Sequence, residues 1–305
     1  MKIVSLLPAA TELLFALGLG DDLVGVTDEC DYPAEASQRP VVIRSLLPAQ
    51  LRGPREMGSE GSRPGADGDG KDMYALDEEL LGTLQPDVIL TQDSCRVCGV
   101  PSQRVKEALA ELRIEAEIVS LDPHSMEEVP ESFVAIGEAL GRKQEAEALA
   151  GSLAERFAAV RAAALRLPSI SVLAMEWAEP PWAAGRWVPE MVVAAGGVNL
   201  LSEAKAPSHP VAWKEVADAA PEVIAFMPRG YYLEEAEYEA PALFDNPDFA
   251  ETPAARGGGV FAVDAASYFS RPGPRLADGL GILAWAVHPE AFPEPPPGTV
   301  TRVER

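Results

Sequence analysis

Short apolar runs alternate with amphipathic stretches over the first 124 residues of the chain. Each run is short enough for one buried strand. Segments whose apolar residues recur with the period of a helix lie between several of the runs. The predicted strands are 3–7, 23–27, 41–45, 87–91 and 117–121, and the predicted helices are "ELLFALG", "LDEELLGTL" and 102–112. We expect Thr11 to cap the first helix and Gly18 and Gly20 to end it. Strands that alternate with helices predict a parallel α/β sheet.

A longer helical segment follows, from residue 125 to residue 168. Apolar residues recur in its second part at steps of three and four, which places them on one continuous stripe of a helix. The stripe consists of Ala146, Leu149, Leu153, Phe157, Val160, Ala164 and Leu167. Roughly 25 residues at ~1.5 Å each give a rod of about 38 Å, long enough to cross a domain. Pro168 is expected to end it.

Beyond Pro168 the α/β alternation resumes. The predicted strands are 170–175, 222–227 and 260–264, and the predicted helices are 189–195, 213–219 and 274–287. We therefore predict two Rossmann-like α/β lobes with parallel sheets, joined by one long backbone helix, with a ligand cleft between the lobes. The predicted N-terminal lobe covers 1–124, the helical connector 125–168, and the C-terminal lobe 169–305, ending in a peripheral tail.

The segment from about 48 to 73 departs from this alternation. It is rich in glycine, proline and charged residues and has no hydrophobic period. A stretch of this length without secondary structure is rarely part of a compact core. We interpret it as a mobile insertion in the first lobe, with a binding-site lid as the alternative.

The composition narrows the classes of partner. The chain is 47% hydrophobic and 24% charged, with a formal net charge of −23. Such acidity argues against electrostatic binding of nucleic acid or anionic lipid. No run of 18 apolar residues is present, so membrane insertion is not expected. Because no secretory cleavage pattern is seen, the chain as written is expected to be cytoplasmic, or extracytoplasmic if a leader was removed. We expect a monomer.

The loops that follow the predicted strands hold the residues with the most chemistry. Ligands of parallel α/β sheets gather at the carboxyl ends of the strands. Trp177, Trp182 and Trp187, three of the five tryptophans, lie in one such loop, which favours a site for a large, partly apolar ligand. The chain lacks a Gly-x-Ser-x-Gly, a Walker loop and a His-Glu-x-x-His motif, so we expect a non-catalytic protein with no required cofactor.

The three cysteines also follow strands. Cys30 comes after the strand at 23–27, and Cys95 and Cys98 come after the strand at 87–91. Three interpretations remain open: packed thiols, a ligand-facing or redox role, and a soft metal such as zinc. Four-coordinate zinc needs one more ligand, and three carboxylates lie nearby in the sequence, namely those of Glu29, Asp31 and Asp93.

Three segments, taken in order, resemble a known family. They are "IVSLLPAATELLFALGLGDDLVGVTDECDYP", "LQPDVILTQDSCRVC" and "YFSRPGPRLADGL". The resemblance is to the cobalamin-binding branch of the helical-backbone (class III) periplasmic binding proteins. These are substrate receptors of vitamin B12 and iron-siderophore ABC importers. It implies a corrinoid such as cobalamin as ligand, held between two lobes, and an ABC permease as partner.

The resemblance also implies which residues contact the ligand. In the first lobe they are Pro8, Ala9, Tyr32 and, in the loop 92–96, Gln92, Asp93, Cys95 and Arg96. Glu29, Cys30 and Cys98 are added as predicted contacts, because their loops follow strands that lead to the same edge of the sheet. In the second lobe they are Trp177, Trp182, Gly185, Tyr268 and Arg271. The chain departs from the family at two positions. Receptors of importers present an acidic residue on each lobe to the permease, whereas the matching positions here are Ser102 and Lys214.

Two further functions stay open as alternatives. An iron-siderophore or haem receptor would share the fold but would favour clustered arginines for an anionic ligand. A metal-handling or redox protein would use Cys30, Cys95 and Cys98.

Overall fold

A computed structural model describes residues 1–46, 74–92 and 102–305. The predicted insertion at 48–73 lies outside these residues, as do Asp93, Cys95, Arg96 and Cys98 and the side chain of Ser102. The described chain divides into two compact units. Unit 1 contains residues 1–46, 74–92, 102–123 and 130–151, and unit 2 contains 124–129 and 152–305.

Unit 1 is built on a six-stranded sheet of order β4-β3-β2-β1-β5-β6. The strands are β1 Ile3–Ser5, β2 Leu23–Thr27, β3 Val41–Ser45, β4 Tyr74–Leu76, β5 Val88–Thr91 and β6 Glu117–Ser120. Every pairing is parallel except that of β4 with β3. The predicted parallel α/β sheet is confirmed, and the antiparallel edge strand β4 was not predicted.

Helices connect these strands, and their ends refine the prediction. They are α1 Pro8–Ala16, α2 Glu78–Leu84, α3 Ser102–Leu112 and α4 Glu128–Ala139. The prediction that Thr11 caps α1 was wrong, because the helix begins three residues earlier with Pro8 in its first turn. Proline is tolerated there since its missing N–H would have had no partner within the helix. Thr11 is consequently inside α1 and fully buried.

The helix α5 runs from Lys143 to Ala164 without interruption. The predicted stripe is part of it as far as Ala164, and Leu153 and Phe157 on that stripe are buried. The helix is 22 residues long, and Leu167 lies beyond its end. Its residues up to Gly151 belong to unit 1 and those from Ser152 onwards to unit 2.

Unit 2 contains a seven-stranded sheet of order β10-β8-β7-β11-β12-β13, with β9 also paired to β7. The strands are β7 Ile170–Ala178, β8 Pro181–Ala183, β9 Gly197–Asn199, β10 His209–Pro210, β11 Val223–Phe226, β12 Val260–Val263 and β13 Val300–Arg302. The strands β8, β10 and β13 pair antiparallel to their neighbours, so this sheet is mixed and the expectation of a parallel sheet was incomplete. The expected C-terminal tail likewise contributes β13.

The helices of unit 2 enclose an apolar core. They are α6 Val188–Ala194, α7 Trp213–Ala219, α8 Leu233–Glu239, α9 Pro247–Ala250, α10 Pro253–Gly257, α11 Ala265–Tyr268 and α12 Leu276–Val287. Phe226 on β11 and Phe249 on α9 are fully buried in that core. Across residues 1–46, 74–92 and 102–305, no helix is both long enough and apolar enough to span a bilayer.

Candidate functional site

The carboxyl ends of β1, β2 and β5 form one edge of the unit 1 sheet. The loops that follow these strands contain the residues that the resemblance predicted to contact the ligand. Pro8 is partly buried and Ala9 buried at the start of α1, while Tyr32, after β2, is 48% exposed. Gln92 follows β5 and is partly buried. The sheet therefore brings Pro8, Tyr32 and Gln92 to one edge, since β1 pairs with both β2 and β5.

Cys30 lies at this edge but its side chain points into the protein. Its sulfur accepts a hydrogen bond from the Thr11 hydroxyl at 3.0 Å and lies 3.3 Å from the Thr27 hydroxyl. The Thr11 hydroxyl is also 2.9 Å from that of Ser5, and with one proton it can donate to only one of these acceptors at a time. Cys30 is 3% exposed. Glu29, beside it, is partly buried.

The strand order bears on whether Cys30 could share a soft metal with Cys95 and Cys98. β2, which precedes Cys30, and β5, which precedes Cys95 and Cys98, are separated by β1. Neighbouring strands are ~4.8 Å apart, so the two strand ends are about 10 Å apart. Within the described ranges, which omit Cys95, Cys98 and Asp93, no group of three His, Cys, Asp or Glu side chains is arranged to hold a metal ion.

In unit 2, two tryptophans are brought together by an antiparallel hairpin. The strand β7 continues to Ala178, and a tight connection at 179–180 returns the chain as β8. Trp177 and Trp182 are directly opposite each other in this pairing. Residues opposite each other in an antiparallel pair project from the same face, so the two indoles are neighbours there.

The loop after β11 extends this aromatic surface. The ring of Tyr231 makes an edge-to-face contact with Trp177, with the centroids 5.4 Å apart. This loop is tied to the loop after β12, because Ala266 N–H donates to the Tyr231 carbonyl (2.8 Å) and Gly230 N–H to the Ser270 hydroxyl (3.2 Å). We call Trp177, Trp182 and Tyr231 the aromatic ledge.

Three arginines lie beside the aromatic ledge, in the loops after β11 and β12. Arg229 Nε is 3.9 Å from the Glu176 carboxylate of β7. Arg271 donates to the Tyr232 hydroxyl at 3.4 Å, and the Arg275 guanidinium lies 5.6 Å from the centre of the Tyr268 ring. Arg271 is buried, while Tyr268 is partly buried. The edge of unit 2 therefore combines an aromatic surface with three arginines, one of which lies beside the buried carboxylate of Glu176.

Two of the residues selected from the sequence also have a packing role. A Cβ added to Gly185 would lie 2.4 Å from the Ala206 carbonyl oxygen, so this glycine permits close backbone packing. The Trp187 indole donates to the Phe269 carbonyl at 2.9 Å and is buried. Trp187 thus packs within unit 2, whereas a ligand contact of Gly185 stays a prediction.

The structure also adds residues that were not selected as ligand contacts. Tyr231, Tyr232 and Asp264 join the predicted Trp177, Tyr268 and Arg271 at the same edge. The sequence signal was present in "PRGYY", a glycine and two tyrosines directly after a buried strand. The loop was among the aromatic strand-end loops of the sequence, but its tyrosines were not selected as contacts, because two tyrosines after a strand are as typical of packing as of binding.

The comparisons with known proteins place the chain in a family. Residues 3–266 match the Periplasmic binding protein family. The chain belongs to this family. Its members are solute-binding proteins that serve ABC importers and catalyse no reaction, so the chain is a non-catalytic binding protein.

The relatives that are named for a ligand are named for different ones. An uncharacterised ABC transporter substrate-binding lipoprotein of Bacillus subtilis is 26% identical over 302 residues, covering 96% of this chain and 82% of that protein. A vitamin B12-binding protein of Vibrio cholerae is 24% identical over 227 residues, covering 73% of this chain and 69% of that protein. A periplasmic haem-binding protein of Pseudomonas aeruginosa superposes with a TM-score of 0.73 at 24% identity, covering 99% of both chains.

These similarities establish the two-lobed fold of the class III periplasmic binding proteins, as predicted. They do not discriminate between ligands, because relatives named for vitamin B12 and for haem are equally distant from this chain.

Proposed function

We propose that this protein binds a corrinoid and delivers it to an ABC importer as the substrate receptor. The observation that carries the proposal is the aromatic ledge at the carboxyl edge of unit 2. Corrinoids offer a wide, partly apolar macrocycle, and stacked or edge-on aromatic contacts suit such a surface. The relative named vitamin B12-binding protein supports the same ligand class.

The proposal assigns contacts in each unit separately. In unit 2, Trp182, Tyr232, Tyr268 and Arg271 contact the ligand, and Trp177 and Tyr231 support them from beneath. In unit 1, Pro8, Ala9, Tyr32 and Gln92 contribute. Tyr32 is the strongest candidate there, because a large aromatic side chain left 48% exposed at a sheet edge gains surface burial from a bound ligand.

A haem-type ligand is the second candidate, and a specific observation favours it. Three arginines lie at the unit 2 edge, and guanidinium groups bind carboxylates well. Haem has two such carboxylates on its rim, whereas the side chains around a corrin ring are largely amides. An iron-siderophore would make similar use of the arginines.

The experiment that decides the ligand is a titration of the purified, ligand-stripped protein. Calorimetry with cyanocobalamin, dicyanocobinamide and hemin measures the three affinities under one set of conditions. We expect tight, stoichiometric binding of the corrinoids. Hemin binding without corrinoid binding would replace the proposal by the haem alternative, and no binding of any probe would refute both.

The remaining assignments follow from the family. We propose an extracytoplasmic location, because the relatives are periplasmic proteins or lipoproteins, and the expectation of a cytoplasmic protein finds no support. The proposed partner is an ABC permease. Lys214, at the position where the resemblance predicts an acidic residue, is exposed on α7 and pairs with Asp218 at 3.0 Å. We propose that Glu215 and Asp218, which are exposed on the same helix, provide the acidic groups for the permease.

A metal-handling or redox function gains less support from the described residues. The Cys30 sulfur lies among the hydroxyls of Thr11 and Thr27, and a soft metal at that position would need them to move. We therefore propose a ligand site that needs no zinc.

A further inference from the structure

The strand β7 contains one residue more than its partner β8 near the hairpin that joins them. Met175 is opposite Ala183, and the next pair is Trp177 with Trp182. The two residues on β8 are consecutive, whereas Glu176 lies between the two on β7. One extra residue on a strand is a β-bulge, and bulges beside functional sites re-aim a side chain. The side chain that this bulge adds to the unit 2 edge is a carboxylate.

Glu176 is buried, yet its carboxylate accepts no hydrogen bond from the described residues. Its exposure is 8%, and its ion-pair partner is Arg229, whose Nε lies 3.9 Å from the carboxylate. That distance is too long for a hydrogen bond, in which N and O are about 2.7–3.2 Å apart. Arg229 therefore balances the charge of Glu176 without filling its lone pairs. A buried ion whose lone pairs are unfilled is costly unless a further group donates to it.

The other buried carboxylate of this edge provides a contrast. Asp264 is 7% exposed, and its side chain accepts from Ser267 N–H at 2.9 Å as the cap of α11. The structure thus explains the burial of Asp264 by a hydrogen bond within the protein. It contains no such explanation for Glu176 among the described residues.

Glu176 lies beside the aromatic ledge. It directly precedes Trp177 on β7, and its partner Arg229 lies two residues before Tyr231 in the loop after β11. The rings of Trp177 and Tyr231 contact each other, so both ends of the Glu176–Arg229 pair belong to segments that form the ledge. A macrocycle packed on the aromatic ledge would present the groups on its rim to Glu176.

We propose that Glu176 is a specificity-determining residue that accepts hydrogen bonds from N–H groups of the ligand. The side chains around a corrin ring are largely amides, whose N–H groups donate charge-assisted hydrogen bonds to a carboxylate. The carboxylates of haem are acceptors only and carry the same charge as Glu176. This inference rests on the proposed corrinoid function and names the feature of the ligand that the edge selects, namely its amide N–H groups.

The test measures affinities by calorimetry with the full-length protein at pH 7.5. The probes are dicyanocobinamide, whose side chains are amides, dicyanocobyrinic acid, which has the same ring with carboxylates in place of the amides, and hemin. Glu176→Gln removes the charge and keeps the size of the side chain, and Glu176→Met removes the acceptor as well. Glu179→Gln is the matched control, because it removes the same charge from an exposed position in the turn of the same hairpin.

We expect Glu176→Gln to weaken dicyanocobinamide binding about three- to tenfold, because a neutral acceptor replaces a charged one. Glu176→Met should weaken it about ten- to hundredfold, because no acceptor remains. Neither variant should weaken the binding of dicyanocobyrinic acid or hemin, since these probes have no amide to lose. Glu179→Gln should leave the dicyanocobinamide affinity within about twofold of the wild type, which separates the hydrogen bond from a general effect of charge.

Three outcomes would overturn the inference. Unchanged dicyanocobinamide binding in both Glu176 variants would show that the carboxylate does not contact the ligand. A loss shared by both corrinoids and accompanied by a lower melting temperature would show that Glu176 only holds Arg229. A wild type that does not prefer dicyanocobinamide to dicyanocobyrinic acid would exclude amide selection, whether or not the variants fold.

The same measurements separate this inference from the proposed function. Corrinoid binding that does not depend on Glu176 would overturn the inference alone and leave the corrinoid receptor in place. Hemin binding without corrinoid binding would overturn both.

Discussion

The carboxyl edges of the two sheets are chemically different. Among the described residues of the unit 1 edge, the buried polar groups include the hydroxyls of Ser5, Thr11 and Thr27 with the Cys30 sulfur, and the ring of Tyr32 is exposed. The unit 2 edge contains the aromatic ledge, three arginines and the buried carboxylates of Glu176 and Asp264.

Because of this difference, the effect of a substitution on stability and its effect on ligand binding should be distinguishable in unit 1 but not in unit 2. In unit 2 the aromatic side chains contact one another and are largely buried, so the surface exists before any ligand arrives. In unit 1 the buried groups are hydrogen-bonded hydroxyls, and Tyr32 is exposed. Substitutions in unit 2 should therefore affect both folding and binding, whereas substitution of Tyr32 should affect binding alone.

The largest expected effect is that of Trp177→Ala. Trp177 is 5% exposed and packs edge-to-face on Tyr231. Loss of a buried tryptophan should lower the free energy of unfolding by about 3–5 kcal/mol, measured by urea denaturation. Tyr238→Ala is the control, because this tyrosine is 86% exposed and its loss should change stability by less than about 0.5 kcal/mol. A loss below about 1 kcal/mol for Trp177→Ala would contradict the preformed ledge.

Gly185→Ala should have the next largest effect. The added methyl group would meet backbone atoms of Ala206 and Ser208 at 2.4 Å, so the backbone must move. We expect the free energy of unfolding to fall by about 1–3 kcal/mol. Gly151→Ala is the matched control, since an added methyl group in the middle of α5 would meet no atom within 4 Å. That substitution should raise stability by about 0.5–1 kcal/mol. Equal effects in the two variants would refute the packing role of Gly185.

Tyr32→Ala tests the unit 1 edge. We expect the affinity for cyanocobalamin to fall roughly two- to tenfold, which corresponds to a lost aromatic contact of about 0.5–1.5 kcal/mol. Calorimetry measures this change. The melting temperature should stay near that of the wild type, because the ring is 48% exposed. A lowered melting temperature with unchanged affinity would assign Tyr32 to packing.

The smallest effect concerns pH and the unit 2 edge. The pKa of Asp264 is raised above 3.8 mainly by burial, and the hydrogen bonds from Ser267, followed by the charges of Arg275 and Arg271, oppose the rise. As the pH rises, the unfolded carboxyl group therefore ionises before the native one, which favours unfolding in that interval. The melting temperature of the wild type minus that of Asp264→Asn should fall from about pH 3.8 to the native pKa and stay constant above it. Thr252→Ala, which removes the uncharged cap of α10, should show no such pH dependence relative to the wild type. If the melting-temperature difference between the wild type and Asp264→Asn rises with pH, the pKa of Asp264 is not raised.

Many helices and strands could be predicted, because the spacing of hydrophobic residues differs between a helix and a strand. The helix α7 at Trp213–Ala219 has the predicted ends, and β2 and β3 coincide with their apolar runs. The stripe from Ala146 predicted α5 because steps of three and four over five turns have no other regular explanation.

The antiparallel strands were harder to predict, and one of them helps to form the site. Residues 176–187, which contain Trp177, Trp182 and Trp187, were interpreted as a loop, and Pro180 and Pro181 interrupt any hydrophobic period there. In the structure the prolines are part of the turn and of the first position of β8, and Trp177 and Trp182 face each other across the hairpin. A strand of three residues is too short for alternation to be visible. The contact between Tyr231 and Trp177 depends on β7 and β11 being neighbours, which the sequence order alone does not specify.

The strand β13 has a consequence for how the chain can be shortened. Val300–Arg302 pairs antiparallel with β12, and Val303 beside it is buried. The proline-rich segment before β13 suggests a dispensable end, but removal of residues 299–305 would leave the hydrogen-bonding groups of β12 open to solvent. Open edges recruit strands from other molecules. The last seven residues thus protect the edge of β12 from pairing with other molecules. A protein truncated before Thr299 should aggregate through the sheet of unit 2.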